Sequence, residues 1–314
     1  MHASALGGKI FVGPAGWSYA DWEGIVYPHH KPPGFHEAGY LAQYFDTIEI
    51  NTTFYSPPRA ELAKAWIKRV QHNPAFKFTA KLWKRFTHER TADHRDEKVL
   101  KEGLAPLAAA GRLGALLLQF PWSFKNTREN HDYLSALFVQ FLEYPLVLEV
   151  RHASWNKPEI FRWLGELGVG TCNIDQPVIG RSIAPNDRVT APVGYVRLHG
   201  RNYEHWFASS ERPEERYNYL YSLAELKPWA ERIKSIAQRT DTTYVITNNH
   251  YQGKAIANAF QLVSLIRNRA VSVPETLKAH YPELEMIAAP ESSVSGPRQT
   301  DLLFEISPAV TNNN

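Results

Sequence analysis

Short apolar runs alternate along the chain with segments of helical periodicity. Eight such runs occur, and they lie at residues 10–13, 47–51, 76–81, 115–119, 146–151, 171–175, 195–199 and 244–249. Nearly every run ends in a polar or charged residue, where a purely structural strand would carry valine or leucine. Near-continuous apolar runs of this length are typical of parallel strands that are covered on both faces. The ends of the runs therefore indicate where chemistry is concentrated.

The segments between the runs are predicted to be amphipathic helices. Apolar residues at helical spacing occur at Leu62, Trp66 and Val70, at Leu134, Leu137, Phe138 and Phe141, and at Ile256, Phe260, Val263 and Ile266. Helix starts are predicted near Asn126 and Asn156, and Pro228 is predicted to open a helix that runs to about Arg239. Eight alternations of strand and helix predict an α/β fold, a (β/α)8 barrel of the TIM type with a parallel sheet. A doubly wound open sheet is the alternative.

The chain length fits one barrel domain. With 314 residues and 44% hydrophobic composition it can bury a large core, and we predict a single domain over residues 9–289. Residues 1–8 are predicted to be a flexible N-terminus and residues 290–314 a loosely ordered tail. Residues 176–194 contain proline and glycine but little helical periodicity, so the sixth crossover is predicted to be degenerate.

Composition restricts the classes of partner. The net charge is only +3, without a long basic block, which argues weakly for nucleic acid. Cys172 is the only cysteine, so no intrachain disulfide is possible and a reducing compartment fits best. The first eight residues lack the pattern of a signal peptide, and no apolar stretch is long enough to span a bilayer. We expect a soluble, cytoplasmic protein without membrane contact.

Polar residues at the strand ends occur in pairs two positions apart, which places both members on one face of a strand. The pairs are Glu49 with Asn51, Glu149 with Arg151, Asn173 with Asp175, and Arg197 with His199. The residues between the members of each pair are apolar, so the polar set is predicted to point into the barrel at its C-terminal mouth. Three acids, Glu49, Glu149 and Asp175, then face three bases, Lys81, Arg151 and Arg197. This balance fits either a polar ligand site or a structural ion-pair network.

Two further patterns favour a ligand. Six tryptophans follow strands and are predicted to ring the mouth, where they could stack on a ligand or only pack loop against loop: Trp17, Trp22, Trp83, Trp122, Trp155 and Trp206. Residues 199–202 and 248–254 combine glycine, amide and basic side chains at the last two strand-to-helix junctions. Barrels often bind phosphate there, so we predict a phosphate or carboxylate site.

The ordered motifs resemble those of the YecE-like family, a domain of unknown function. The matching segments are residues 13–19, 22–24, 27–28 and 49–55, then Lys81, Arg85, 87–88, 119–121, 149–152, 154–155, 197–201 and 248–249, then Gly253, Ala255, Asn258 and Ala259. The resemblance covers about residues 11–260 and implies a barrel of the triose-phosphate-isomerase type, without implying a reaction. The chain departs from the family pattern at Pro14 and Ala15, where hydroxyl-bearing residues are common.

The leading hypothesis is acid–base chemistry on a small polar ligand, such as a sugar phosphate or a nucleotide-like molecule, without a cofactor. Glu49 or Glu149 would act as the base. Lys81 or His199 would act as the acid. The predicted ligand contacts are Trp17, Asn51, Tyr55, Gln119, Arg151, Trp155, Asp175, Arg197, Arg201, Asn248 and Asn249.

Two other functions stay open at this point. A divalent metal could be held by Glu149, Asp175 and His199, as in sugar isomerases and some barrel nucleases. Alternatively, the protein could bind a metabolite or a nucleic-acid end without catalysis. Basic and aromatic residues interleave at residues 81–86, but four acids follow by residue 97 and weaken the positive field, which disfavours nucleic acid.

Overall fold

Eight parallel strands form one sheet in the computed structural model, which describes residues 7–206 and 213–290. The strands are β1 (Lys9–Pro14), β2 (Thr47–Ile50), β3 (Lys77–Lys81), β4 (Leu113–Gln119), β5 (Leu146–Glu149), β6 (Gly170–Asp175), β7 (Val193–Leu198) and β8 (Thr242–Thr247). Each strand pairs in parallel with its neighbours in the order β1-β8-β7-β6-β5-β4-β3-β2. The eight predicted runs are therefore the eight strands.

The sheet closes where β1 meets β2. Ala15 forms a parallel bridge with Glu49, and the Gly16 N–H donates to the Glu49 carbonyl at 2.8 Å. Gly13 makes this approach possible, because a Cβ at that position would lie 1.8 Å from the Thr47 carbonyl oxygen. The (β/α)8 barrel is confirmed, and the open doubly wound sheet is excluded.

Helices cover the outside of the barrel. In the described residues they are α1 (Glu37–Leu41), α2 (Ala60–Arg69), α3 (Lys84–Thr87), α4 (His94–Ala109), α5 (Arg128–Gln140), α6 (Pro158–Glu166), α7 (Leu223–Ala237), α8 (Lys254–Arg267) and α9 (Glu275–His280). Outward-facing strand residues such as Ile48, Leu116 and Val196 pack with them in one large core. A smaller core fills the barrel interior and includes Phe11, Leu117 and Ile246. None of these helices is long and apolar enough to cross a membrane.

Two predicted helix starts need correction. Helix α7 begins at Leu223, because Ser222 and Glu225 form a reciprocal capping box, and Pro228 lies inside the helix instead of opening it. Helix α5 begins at Arg128, where Thr127 is the N-cap, while Asn126 donates its side-chain amide to the Ser154 carbonyl. The start predicted near Asn156 is confirmed, since α6 begins at Pro158.

The sixth crossover has no helix, as predicted, and runs directly from β6 to β7. Asn173 holds this loop, since its side-chain amide donates to the Arg188 carbonyl at 2.9 Å and accepts from the Arg188 N–H at 2.8 Å. Asn173 therefore faces outward, and the prediction that it points into the barrel is wrong. The predicted tail, residues 290–314, lies outside the described residues except for Pro290, as does most of the predicted N-terminus, residues 1–6.

Candidate functional site

A buried guanidinium lies at the centre of the C-terminal half of the barrel. Arg197 on β7 is 1% exposed and bridges two carboxylates. Its Nη1 donates to Glu149 Oε2 at 2.6 Å, and its Nη2 donates to Glu49 Oε1 at 2.8 Å. Alternation along β2, β5 and β7 turns all three side chains inward, so strands distant in sequence meet in one ion network.

Other interior groups complete the coordination of both carboxylates. The Tyr195 hydroxyl donates to Glu49 Oε2 at 2.9 Å and lies 2.7 Å from Thr79 Oγ1. Arg151 donates to Glu149 Oε1 from Nε at 3.1 Å and from Nη2 at 3.0 Å. Although burial favours the neutral acid, the charges of Arg197 and Arg151 hold the pKa of Glu149 well below its ordinary value. Glu149 is thus a fixed carboxylate.

His199 joins the network as a neutral ring. It is fully buried, and burial lowers its pKa to about 3 even though Glu149 favours the charged form. Its Nδ1 lies 2.9 Å from Nδ2 of Asn248, and its Nε2 lies 3.2 Å from Glu149 Oε1. An amide N–H donating to Nδ1 places the ring hydrogen on Nε2, facing the carboxylate.

The position of Asp175 contradicts the prediction that its side chain points into the barrel. Its carboxylate accepts from Arg201 Nε at 2.9 Å and from Nη2 at 3.0 Å, and Arg201 also contacts Glu225 in the first turn of α7. Cys172 and Ile174 of the same strand belong to the interior core instead. The alternation of β6 is therefore opposite to the predicted one, because Arg188 in the loop after β6 and Arg201 in the loop after β7 supply polar partners on the outer face.

This placement also separates the predicted metal ligands. Glu149 and His199 face the interior, while Asp175 faces the opposite side of the sheet. Within residues 7–206 and 213–290, no three His, Cys, Asp or Glu side chains converge as a metal site would require. The set Glu149, Asp175 and His199 is wrong as a metal site.

A cavity of about 640 Å³ opens at the C-terminal mouth of the barrel. Six residues predicted to carry the site line it: Trp17, Asn51, Tyr55, Lys81, Gln119 and Asn248. The cavity wall also includes residues that were not among the predicted contacts: Tyr19, Trp66, Glu214, Tyr217 and His250. Trp17 packs edge-on against Trp66, with the ring centroids 5.6 Å apart. The cavity wall thus combines aromatic rings, amides, the Lys81 amine and the Glu214 carboxylate.

Lys81 brings an amine to this cavity. The side chain is half-buried at the end of β3, and its Nζ lies 4.3 Å from the centroid of the Phe54 ring. No carboxylate of the described residues forms an ion pair with it, and the nearby Glu49 and Glu149 are already bound to arginine. Burial first and the charge of Arg197 second lower the pKa of Lys81 to about 7. The amine therefore titrates near neutral pH.

Several residues predicted to act as catalytic groups or ligand contacts lie away from the cavity. Glu49, Glu149 and His199 are 0% exposed and lie within the ion network together with Arg197, so a ligand in the cavity does not reach them directly. Trp155 is buried and donates its indole N–H to the Phe124 carbonyl at 2.8 Å. Trp22 is equally buried and bonds to the His250 carbonyl. Of the predicted tryptophan ring, Trp17 lines the cavity, whereas Trp22 and Trp155 pack the loops.

The predicted anion site has its donors already engaged. The Gly200 N–H donates to the Tyr221 hydroxyl at 2.9 Å, and Arg201 is bound to Asp175. Asn249 donates to the Tyr219 carbonyl at 2.8 Å and to Asn258, which ties β8 to α8. Lys254 contacts Asn218. These groups hold the last two junctions together.

The residues that sequence reasoning missed come from distant segments. His250 stacks on Tyr19, with the ring centroids 4.5 Å apart, and also packs against Tyr217, with the ring centroids 4.8 Å apart. His250 lies in the junction after β8, so its position was visible in the sequence, although not its direction. Trp66 was assigned to a helical stripe, and Tyr217 carried no local signal.

Comparison with known proteins identifies relatives along almost the whole barrel. The model of the family described as "Protein of unknown function DUF72" matches residues 11–282. UPF0759 protein YunF of Bacillus subtilis is 27% identical over 82% of this chain and 94% of its own length. UPF0759 protein YecE of Escherichia coli is 31% identical over 53% of this chain and 59% of its own length.

Solved structures agree with the sequence comparison. A DUF72 family protein from Thermotoga maritima is 32% identical, with a TM-score of 0.72 over 82% of this chain and 99% of that one. A DUF72 family protein from Enterococcus faecalis is 24% identical, also with a TM-score of 0.72, over 82% and 95% of the two chains. The motif resemblance, the family match and the barrel agree, and the chain belongs to the DUF72 family.

Proposed function

We propose that this protein is an enzyme that carries out acid–base chemistry on a small polar ligand in the cavity, with Lys81 as the group that exchanges the proton. The observation that carries the proposal is the environment of Lys81. Its amine lines the cavity, has no ion-pair partner in the part of the chain that the structure describes, and titrates at about pH 7. A catalytic acid or base works best when its pKa is near the operating pH.

The ion network supports this role by setting the local charge. Glu49 and Glu149 contribute two negative charges, and Arg151 and Arg197 contribute two positive ones. Because these four charges balance, the protonation state of Lys81 decides whether Lys81 and the ion network together are neutral or positive. A protonated Lys81 would stabilise negative charge that develops on a ligand, and a neutral Lys81 could accept a proton.

The size and lining of the cavity support a small ligand with polar groups. Its volume of about 640 Å³ lies within the usual range for small-molecule sites. Asn51, Gln119 and Asn248 supply amides to the cavity that Lys81 lines, and Trp17 and Tyr19 supply aromatic rings. Amides can orient hydroxyl or carbonyl groups, and rings can cover an apolar face.

This proposal reassigns the roles expected from the sequence. Glu49 and Glu149 are not free to accept a proton from a cavity ligand, since each is buried and bound to arginine. They become positioning residues that fix Arg197 beside Lys81. His199 is neutral and holds Asn248, which itself lines the cavity.

The proposal is tested by proton exchange on candidate ligands. The protein is incubated in D2O with sugar phosphates and hydroxy acids, and exchange of carbon-bound hydrogen is followed by proton NMR. We expect the exchange rate to depend on a group with a pKa of about 7 and to fall about 100-fold or more in Lys81→Met. Lys84→Met, a change at an exposed ion pair, should keep the wild-type rate.

A direct titration of Lys81 provides a second readout. Dinitrofluorobenzene reacts with neutral amines, so labelling across pH, followed by peptide mapping, reports the pKa of each lysine. Lys81 should become reactive near pH 7, well below the pH at which an ordinary lysine side chain loses its proton. Labelling of Lys81 only at that higher pH, together with unchanged exchange in Lys81→Met, would exclude the proposal.

A further inference from the structure

Lys81 is placed as a nucleophile as well as a proton carrier. Its Nζ is at the carboxyl end of a strand, faces a 640 Å³ cavity and rests against the face of the Phe54 ring. In the described residues no carboxylate forms an ion pair with it, and its backbone is fixed because the Lys81 N–H donates to Thr53 Oγ1 at 3.1 Å. A desolvated amine beside other cations is the arrangement that activates lysine for attack on carbonyl carbon.

Two other nucleophilic groups near Lys81, Cys172 and Tyr19, are not available. Cys172 is 7% exposed, lies behind the network with its Sγ 3.9 Å from Glu149 Oε2, and does not line the cavity. Burial raises the pKa of the Tyr19 phenol, which donates to the Ala15 carbonyl at 2.7 Å. The amine of Lys81 is therefore better placed than either group to meet a reactive carbonyl in the cavity.

The amides that line the cavity with Lys81 indicate which polar group the carbonyl compound carries next to its carbonyl. Asn51 donates to the Tyr19 hydroxyl at 3.2 Å, while its buried Oδ1 has no hydrogen-bond partner among the described residues. A buried acceptor without a partner is costly, so a donor from a ligand would be favoured there. Gln119 and Asn248 add further amides to the same wall. A hydroxyl group next to the carbonyl satisfies this pattern.

We infer that Lys81 forms a Schiff base with a small hydroxy-aldehyde or hydroxy-ketone bound in the cavity. This inference rests on the proposed function, since it concerns the same cavity and the same amine, and it names the class of substrate. The positive iminium nitrogen would take the place of the ammonium group beside the balanced ion network.

The step conserves atoms and charge. The lone pair of the neutral Lys81 amine adds to the carbonyl carbon, and the C–O π electrons move to oxygen, which gains the proton that the nitrogen loses. The resulting carbinolamine takes up one further proton on its hydroxyl group and loses water. The product is a protonated imine, which draws electrons from the neighbouring carbon and so acidifies its C–H bond. Addition of water reverses the step and needs no oxidant or reductant.

Borohydride trapping tests the inference. The full-length protein is incubated at pH 7 with glycolaldehyde or dihydroxyacetone, reduced with sodium borohydride and mapped by mass spectrometry. We expect the reduced adduct on Lys81 to form about tenfold faster than on Lys84, since the Lys81 amine lines the cavity and a pKa of about 7 leaves much of it neutral at this pH. Propionaldehyde, which lacks the hydroxyl group, should label Lys81 less than glycolaldehyde does.

Two variants serve as controls for the trapping experiment. Lys81→Arg keeps the cation but cannot form an imine, so the adduct should be lost, and its circular dichroism and thermal midpoint should show that the barrel is folded. Lys77→Arg, on the same strand, should leave labelling of Lys81 unchanged. Should Lys81→Arg fail to fold, the ratio of Lys81 to Lys84 labelling in the wild-type protein decides alone.

The outcomes separate this inference from the proposed function. Equal trapping on Lys81 and Lys84 overturns the Schiff base. If Lys81 still reacts with dinitrofluorobenzene near pH 7 in that case, the proton-exchange function stands and only the covalent step is lost. If Lys81 behaves as an ordinary surface lysine in both experiments, both proposals fail together. Preferential trapping on Lys81 supports the inference.

Discussion

At the scale of single residues, Arg197 compensates the charges of the two carboxylates that are buried in the barrel interior. Its guanidinium is 1% exposed and is the shared partner of Glu49 and Glu149. Removing one partner of a buried ion pair leaves an uncompensated charge, which costs more than the pair contributes when intact. The network therefore acts as a unit, and its members are coupled in their effect on stability.

Arg197→Met is expected to lower the free energy of unfolding by about 3–5 kcal/mol, because both carboxylates lose their shared counter-ion. Urea unfolding followed by circular dichroism measures the change. Arg239→Met is the matched control, since Arg239 forms an exposed ion pair with Asp187 at 3.0 Å, and should change stability by less than about 1 kcal/mol. Equal effects of the two variants would contradict a tightly coupled network.

Replacing Lys81 is expected to stabilise the protein, whereas replacing Arg197 is expected to destabilise it. Its pKa is about 7 in the folded protein and about 10.5 when unfolded, so the unfolded state binds more protons between these values. The destabilisation is fully present below pH 7 and disappears as pH rises towards 10.5. Lys81→Met should thus raise the free energy of unfolding by about 1–4 kcal/mol at pH 6 and by much less at pH 10. Urea titrations at both pH values test this, and an equal gain at both would argue against a depressed pKa.

At the scale of elements, the seam between β1 and β2 is the point where the sheet closes. Contact there depends on Gly13, because the Thr47 carbonyl occupies the space that a Cβ would need. The seam also sets the position of Gly16 and Trp17, which line the cavity. Closure of the barrel and formation of the cavity wall are therefore linked.

Two glycine substitutions should have opposite signs. Gly13→Ala is expected to destabilise the protein by about 3 kcal/mol or more, because backbone must move to admit the methyl group. Gly165→Ala lies inside α6, where the nearest atom to a new Cβ is 3.5 Å away, and should stabilise by about 0.5–1 kcal/mol. Thermal unfolding midpoints measure both. A tolerated Gly13→Ala would mean that the seam is not closely packed.

Most strands and helices were predictable from the sequence. The side of each strand that faces the barrel interior was not always so. The eight runs were visible because parallel strands covered on both faces are continuously apolar. In β6, however, polar residues at 173 and 175 indicated the wrong face, since their polar partners lie in the crossover loop after β6 and in the loop after β7. Alternation gives two faces, and only the tertiary surroundings decide which one is inside.

At the scale of the whole molecule, the candidate site is a product of folding that no local pattern specifies. The strand ends showed where the ion network would form, because carboxyl ends of barrel strands meet at one mouth. The cavity wall needs Trp66 from α2, Tyr217 from the segment before α7 and His250 after β8. These residues come together only through long-range packing, so sequence located the network more accurately than the cavity.

Acid stability reports on the protein as a whole, and two buried groups should affect it in opposite directions. His199 has a pKa of about 3 when folded and about 6.5 when unfolded, so stability falls as pH drops through this window. Asp46, whose pKa burial raises from 3.8 to about 6, gains its proton first in the folded state, which opposes that fall between pH 6 and 4. His199→Gln should flatten the dependence of unfolding free energy on pH by about 1.4 kcal/mol per pH unit, while Asp46→Asn should steepen it by a similar amount. Urea titrations at several pH values between 4 and 6 give both slopes. If the two variants change the slope in the same direction, His199 is not buried as a neutral ring or Asp46 is not buried as a neutral acid, and the charge distribution described for the barrel is wrong.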